Sequence, residues 1–566
     1  MRADMDVSKL PNHHPLGWDI EFEPTTLPEM FAATTAERLS APLLHFMGRT
    51  YSYSQLYTEA TAFAAGLRER GIKRGDRVGL FLPNVPIYVA AYYGAMMAGA
   101  VVVNFSPLYS VDELSQQVAD SGTRVLVTVD VPELYGTAEK VLQASQLETL
   151  VVGELASMLP TAKRIGMKLF ARSKIASVRY GEAIWRWDDV MVEAGWGWWL
   201  DSELPDYQPL APTDLALLQY TGGTTGTPKG AMLTHANLTV NAQQVAAINP
   251  FDNPENEVFM GALPMFHVFA NTALLNHAVA SGGAIAVVPR FEVKQVLETI
   301  EKYGCTGFPG VPTMFQALLD HPDIAKTDLS SLKVCISGGA PLPAPLREQW
   351  EERTGVRMVE GYGLTESSGV VSVNPYAGIR QPGTIGQVVA QTEVLLLDKE
   401  DPAAIAPDGE PGELALHGPQ MMSGYWNRPE AAKDVFVEHH GKQWLRTGDV
   451  AVVDDDGFLQ IVDRIKDMIA VGGFKVFPSQ VEDVLLENDA VKEALVIGVP
   501  DDYKGEVPRA YITLREGADA SGEELAKWLN SRVGKHERVD AIVIRKELPK
   551  TMIGKLDRKA LRAEVL

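Results

Sequence analysis

The sequence predicts an α/β protein with a large N-terminal domain of doubly wound sheets, a β-rich subdomain, and a small, mobile α+β C-terminal domain. Three observations predict it. Short β-branched runs alternate with helical patterns through most of the chain, this alternation stops after about Gly378, and it resumes with a separate apolar set beyond the charged segment Asp463–Lys466. The expected division is 1–465, with the β-rich subdomain at about 380–465, and 466–566, with a hinge at the charged junction.

Arg77–Leu82 reads as a strand, Pro86–Met97 as a helix, and Val101–Phe105 as a second strand. Ser110 with Glu113 forms a capping box that opens another helix, and Arg124–Val129 is the next strand. Strands and helices in such close alternation imply βαβ units and a largely parallel sheet covered on both faces. The pattern returns at Leu215–Tyr220, Ala284–Val288, Val334–Ser337 and Arg357–Glu360, each running into a Gly-, Pro- or Thr-rich loop. Ligands of open α/β sheets bind beyond the carboxyl ends of strands, so these loops are the candidate site. Glu393–Leu397, Glu413–His417 and Phe458–Val462 are strands without long helices between them. The last hundred or so residues read as strand, helix, two strands, helix, strand, with capping boxes expected at Ser479/Glu482 and Ser521/Glu524.

At 566 residues the chain exceeds one compact unit, and its 46% hydrophobic and 22% charged content is that of a globular enzyme. A formal net charge of −22 gives no basic field for a nucleic-acid backbone, so no nucleic-acid partner is expected. The two cysteines, Cys305 and Cys335, sit in apolar runs, which argues against a disulfide framework and for a reducing compartment. The first residues show no apolar core of signal-peptide length, and no apolar run spans a membrane; the expectation is a cytoplasmic protein.

The strongest chemical signal is Tyr220-Thr-Gly-Gly-Thr-Thr-Gly-Thr-Pro-Lys-Gly230, directly after a predicted strand. Gly222, Gly223 and Gly226 let backbone amides approach a phosphate, Thr221, Thr224, Thr225 and Thr227 add hydroxyls, and Lys229 adds a positive charge. It is not a Walker A loop, because Lys229 is followed by Gly230.

This stretch resembles the signature phosphate loop of the adenylate-forming superfamily, which includes acyl-CoA synthetases, luciferases and peptide-synthetase adenylation domains. Further matches follow in the family's order from about Ala32 to the end. Ser337-Gly-Gly-Ala340 resembles the adenine-contacting loop, and Glu360-Gly-Tyr-Gly-Leu-Thr-Glu366 the loop that holds adenine, α-phosphate and Mg²⁺. Arg446-Thr-Gly-Asp449 resembles the ribose motif, Asp463-Arg-Ile-Lys466 the hinge, and Pro549-Lys-Thr-Met-Ile-Gly-Lys555 the C-terminal catalytic loop. Within the superfamily, Leu218–Gly226, Val371–Tyr376 and Ile461–Arg464 read most like bacterial long-chain fatty acyl-CoA ligases.

The resemblance implies an ATP-dependent, AMP-forming fatty acid:CoA ligase with Mg²⁺ and with CoA as co-substrate. It implies that Lys555, Glu366 and Lys229 are catalytic: Lys555 contacts the substrate carboxylate and α-phosphate, and Lys229 steadies the leaving pyrophosphate. The nucleotide site would add Gly339, Ala340, Glu360, Gly361, Tyr362, Thr365, Asp449 and Arg464 to the phosphate loop. Thr221 and Glu366 would hold Mg²⁺ with hard oxygen donors. Lys466 would be the hinge of a domain rotation, after which Gly472 and Gly473 line the CoA path; a plain β-turn is the alternative for that pair. Taken singly, Asp449, Lys555 and Glu366 could be a turn residue, a solvated charge and a helix cap; in this order the functional reading prevails.

His267, in Pro264-Met-Phe-His-Val-Phe-Ala270, resembles the residue at the mouth of the acyl pocket, with a packed core histidine as the alternative. A subgroup of the family carries a gating Trp four residues later; this chain has Asn271, and Phe269 is the aromatic available to substitute. Gly310, within Phe308–Pro312, is expected on the acyl side as well. Rival readings are a medium-chain or aryl acid:CoA ligase and a non-catalytic acyl-adenylate or ATP-binding protein; an oligomer stays open.

Between Leu155 and Tyr180 lie six cations (Lys163, Arg164, Lys168, Arg172, Lys174, Arg179) and no acids, followed by Trp185, Trp187, Trp196, Trp198 and Trp199. This 155–200 segment suits peripheral contact with an anionic membrane at the inner face. The alternative is a solvated loop whose tryptophans pack on the domain.

Overall fold

The computed structural model describes residues 9–200, 208–221, 228–471, 474–501, 503–551 and 554–566. Two large sheets build the N-terminal part. One has nine strands in the order Gln387–Val388, Ser372–Val373, Arg357–Tyr362, Val334–Gly338, Gly307–Gly310, Val258–Gly261, Ala284–Val287, Pro42–Phe46, Arg49–Ser52, parallel through its middle with antiparallel edges. The other has seven, from Ile184–Arg186 through Thr149–Gly153, Thr123–Val129, Arg77–Leu80, Val101–Asn104 and Leu215–Thr221 to Lys229–Thr234.

One apolar core joins both sheets. At its centre every residue of the helix Pro86–Met97 is buried, which is why its sequence shows no polar face. Its tyrosines still need partners for their hydroxyls. Tyr88 donates to Asn104 Oδ1 (3.0 Å), Tyr92 to Asn271 Oδ1 (3.0 Å) and Tyr93 to Asn276 Oδ1 (3.0 Å). Asn271 and Asn276 open and close a π-helical turn, Asn271–Asn276, so Asn271 is a buried polar tie between sheets and not a gate.

The β-rich subdomain is a five-stranded antiparallel sheet of Glu393–Leu397, Gly412–His417, Lys442–Val453, Phe436–His439 and Leu459–Arg464. Beyond it, a second five-stranded sheet packs the helices Pro478–Leu486 and Gly522–Asn530 around a core of its own. This C-terminal part has two elements the sequence pattern did not disclose, the hairpin strand Phe474–Val476 and the closing helix Arg558–Val565.

The capping boxes at Ser110/Glu113 and Ser521/Glu524 are present. The one expected at Ser479/Glu482 is not. Pro478 takes the first helical position after Phe477, which places Ser479 inside the turn. Glu482 instead receives Arg558 Nη2 (2.6 Å) and the Val496 amide (2.6 Å).

The tryptophans of 155–200 mostly pack on the domain. Trp187 is buried and stacks on Phe63 (4.5 Å), and buried Trp199 donates to Tyr57 Oη (3.1 Å). Trp185 and Trp198 lie beneath Arg70 and Arg68. Trp196 lies against the Tyr57 ring (4.2 Å) and remains 54% exposed. The helix Thr161–Phe170 presents Ile165, Leu169 and Phe170 to solvent, with Phe170 88% exposed, beside exposed Lys163 and Arg164.

Candidate active site

The carboxyl ends of strands from both large sheets meet at a cavity of about 790 Å³. Asn104, Tyr220 and Thr221 come from one sheet, Gly338, Gly361 and Tyr362 from the other, as expected for an open α/β fold. Arg464 and Lys466 reach it from the junction, and Lys555 from the C-terminal domain. Gly222, Gly223, Thr224, Thr225, Gly226 and Thr227 lie outside the described residues, as do Gly472 and Gly473. The hairpin that presents the phosphate loop is described: Thr221 pairs with Lys229 across antiparallel strands, and Thr221 Oγ1 lies 3.4 Å from the Lys229 carbonyl oxygen.

Glu366 sits in the short 3₁₀ turn Thr365–Ser367. Its Oε1 accepts from Tyr425 Oη (2.7 Å), whose ionisation burial and this carboxylate both oppose. The same ring lies 5.1 Å from Lys229 Nζ, so Tyr425 spaces the cation and the carboxylate. Behind it, Asp120 accepts from Tyr220 Oη (2.7 Å) and pairs with Arg428 (2.6 Å), tying the phosphate-loop strand to the turn that carries Tyr425. Neither Tyr425 nor Asp120 stands among the sequence-derived candidates. The available signal is the aromatic pair Tyr425-Trp426 directly after Gly424, whose φ of 139° marks a forced turn.

Asp449 is buried and belongs to a three-membered cluster. Asp449 and Arg464 face each other in register on neighbouring strands, with Arg464 Nε 2.8 Å from Asp449 Oδ1. Tyr362 Oη donates to the other carboxylate oxygen. The carboxylate raises the pKa of Arg464 and, after burial, that of Tyr362. Asp449 therefore stands behind the cavity wall that Arg464 and Tyr362 form. Glu360 is likewise behind the wall; its Oε1 accepts from the Leu342 amide (3.2 Å), and burial pushes its pKa up to about 8. Gly339, Gly361, Thr365 and Glu366 line the cavity, whereas Ala340 does not.

Lys555 enters over Gly339. A Cβ on Gly339 would lie 2.5 Å from Lys555 Cε and φ there is +78°, so any other residue would strain the backbone and push the lysine aside. Burial, and then repulsion from Arg464, brings the Lys555 pKa down to about 8, with Asp449 opposing the shift. Lys466 is lowered for the same two reasons.

The other limb of the cavity is apolar, with Val245, Ile248, Phe251, Phe259, Ala273 and Val334 among its walls. His267 lines the cavity near Lys555. Its Nδ1 accepts from the Phe269 amide (3.3 Å), and burial with the nearby Lys555 charge holds its pKa down at about 3. The ring is therefore neutral with its proton on Nε2, a donor and not a base. Phe269 lines the cavity and packs under Gly338. Gly310 does not reach the cavity: strand alternation points Gly307, Pro309 and Val311 inward and turns Gly310 toward Phe315.

Among the described residues no three His, Cys, Asp or Glu side chains gather as a metal cage. The donor set of one carboxylate, Glu366, and one hydroxyl, Thr221, matches the way Mg²⁺ binds when phosphates supply its remaining ligands.

Comparison with known proteins agrees with this geometry. The family model described as AMP-binding enzyme matches residues 31–426, and that described as AMP-binding enzyme C-terminal domain matches 480–555. The chain is 37% identical over 543 residues to a long-chain-fatty-acid–CoA ligase of Bacillus subtilis (strain 168), covering 95% of this chain and 94% of that protein. It is 34% identical over 510 residues to a feruloyl-CoA synthase of an Amycolatopsis species, covering 90% and 93%. The crystal structure of an anthranilate CoA ligase in complex with anthranoyl-AMP superposes with a TM-score of 0.79 at 26% identity, covering 99% of each chain.

Proposed function

Because the chain belongs to the AMP-binding enzyme family, we propose that it is an AMP-forming fatty acid:CoA ligase. In the first half-reaction a carboxylate oxygen attacks the α-phosphorus of ATP and pyrophosphate leaves. In the second the CoA thiolate attacks the acyl carbon and AMP leaves. The observation that carries the proposal is the cavity itself, whose cationic limb (Lys229, Arg464, Lys555) is continuous with an apolar limb. Two anions must meet in the first step, and cations held in a dry site offset the charge where it develops. Mg²⁺ held by Glu366 and Thr221 would neutralise phosphate charge there. The His267 Nε2–H, in the cavity near Lys555, is placed to donate to the acid.

In this seating Lys555 occupies the cavity that the CoA thiol must enter, so the second step calls for the C-terminal domain (466–566) to turn about Lys466 away from the N-terminal domain (1–465). The apolar limb favours an extended acyl chain; the likeness to a feruloyl-CoA synthase supports an aryl acid as the second reading. A panel of acids from C2 to C20 with benzoate, cinnamate and ferulate, scored by AMP release with and without CoA, decides between them. A maximum at C12–C18 is expected, and preference for an aromatic acid would replace the fatty reading.

We further propose that the helix Thr161–Phe170 works at an anionic membrane face of the cytoplasm, where a water-insoluble acid is collected. Among the described residues no helix is long and apolar enough to cross a membrane. This helix instead exposes Ile165, Leu169 and Phe170 beside Lys163 and Arg164. Cations near an anionic surface contribute about 1 kcal/mol each. Changing Lys163, Arg164 and Lys174 to Gln should therefore weaken binding to phosphatidylserine vesicles roughly 100-fold. Activity on detergent-dispersed acid should stay unchanged. Equal binding of variant and wild type at low salt would leave a solvated surface helix.

A further inference from the structure

The loop that carries Lys555 is held against one element of the N-terminal part, the helix Pro312–Leu319. Near the N-terminus of this helix, Thr313 Oγ1 donates to the Gly554 carbonyl oxygen (2.9 Å), the residue directly before Lys555. Just past its last residue, Asp320 Oδ2 lies 3.0 Å from Lys492 Nζ. The C-terminal partners are braced on each other. Lys555 N donates to Thr551 Oγ1 (3.2 Å), Thr551 N to the Lys555 carbonyl (2.7 Å), and Gly554 N to the Thr551 carbonyl (2.9 Å), so Thr551 is tied to both Gly554 and Lys555. Lys550 Nζ in turn pairs with Glu493 (2.6 Å), the neighbour of Lys492.

The helix is a firm support. Phe315 packs on Phe308 (5.0 Å) and Trp350 (5.1 Å), and all three rings are buried. Val311, which precedes the helix as its N-cap residue, is itself part of the cavity wall. The segment that walls the cavity thus also bears the contact that seats Lys555. A further contact between the domains, Lys475 to Glu400 (3.0 Å), joins exposed side chains away from this helix.

We propose that the helix Pro312–Leu319 is the rail on which the C-terminal domain docks for adenylate formation, with Thr313 and Asp320 as positioning residues for Lys555. The inference rests on the two-step reaction above. Both contacts exist only while Lys555 is in the cavity, so they act on the first half-reaction and are broken for the second. Neither residue lines the cavity.

The test separates the half-reactions. Thr313→Val keeps the shape and removes the hydroxyl. It should lower acid-dependent ATP–pyrophosphate exchange roughly 3- to 10-fold, the range of one neutral hydrogen bond. Formation of acyl-CoA from added acyl-adenylate should be unchanged, which also shows the variant to be folded. Asp320→Lys sets two lysines against each other and should slow exchange, and adding Lys492→Asp should restore it. Equal loss in both half-reactions for Thr313→Val, unchanged exchange, or a charge swap no faster than Asp320→Lys alone would each overturn the rail. A wild-type protein without exchange on any acid of the panel would overturn the functional reading instead.

Discussion

Replacing Lys555 with alanine should lower acid-dependent adenylate formation roughly 10²–10³-fold, the loss typical of one preorganised charge in a dry site. Thioester formation from added acyl-adenylate should survive, because in the proposed second step Lys555 is out of the cavity. Equal loss in both steps would mean that the C-terminal domain does not alternate. The same lysine sets a pH limit. Its pKa is held down near 8 by burial and by Arg464, against the pull of Asp449, while neighbouring His267 stays neutral. The charged form is complete well below pH 8 and is lost as pH rises through that value. The kcat/KM for adenylation should therefore fall above about 8, and Lys555→Arg should carry that limb to higher pH. With ATP bound, the triphosphate opposes the loss, so the limb in kcat should lie higher than the limb in kcat/KM. Profiles of wild type and Lys555→Arg with coincident alkaline limbs would assign the limb to another group.

The Asp449→Ala variant should fail differently, in both half-reactions, with the KM for ATP raised. Asp449 is buried between Arg464 and Tyr362, so its removal leaves a guanidinium without its counter-charge and a phenol without its acceptor. Breaking a fully buried pair from one side costs about 3–5 kcal/mol, and solvent at the Arg464 side chain, which is 45% exposed, lowers that cost here. The cost falls on the wall that faces the nucleotide, which stays bound through both steps. Asp449→Asn keeps an acceptor for Tyr362 and should retain more activity than Asp449→Ala. An unchanged KM for ATP with normal thermal stability would remove Asp449 from the nucleotide site.

What was legible in the sequence follows from how the contacts are made. Thr221, Gly339, Glu366 and Arg464 could be read because each stands in a short motif at the end of a strand. There the chemistry restricts residue type locally. Tyr425 escaped, because its partner Glu366 is 59 residues away and no local pattern links them. The tie between Asp120 and Tyr220, 100 residues apart, escaped for the same reason. Gly310 was misplaced by one step of strand alternation, which reverses the face of a residue without changing its neighbours in the chain. The Ser479/Glu482 pair had the spacing of a capping box, but Arg558, more than seventy residues later, supplies a stronger partner for Glu482. Composition alone could not divide the tryptophans between membrane and core. All five pack on the domain through rings or arginines distant in sequence, with Trp196 still 54% exposed, and most of the exposed apolar surface belongs to the helix before them.

The in-register pairing of Asp449 with Arg464 has a mechanical consequence, because Lys466 stands only two residues farther along the chain. If the C-terminal domain turns about Lys466 as proposed, the fulcrum is fastened to the cavity wall that Arg464 forms. In a rigid-body turn, displacement grows with distance from the axis. In the proposed turn, Arg464 can therefore keep its grip on Asp449 while the parts of the C-terminal domain remote from Lys466 travel farthest. Alterations remote from the pivot would lengthen or shorten the stroke, whereas an insertion between Arg464 and Lys466 would spoil its aim.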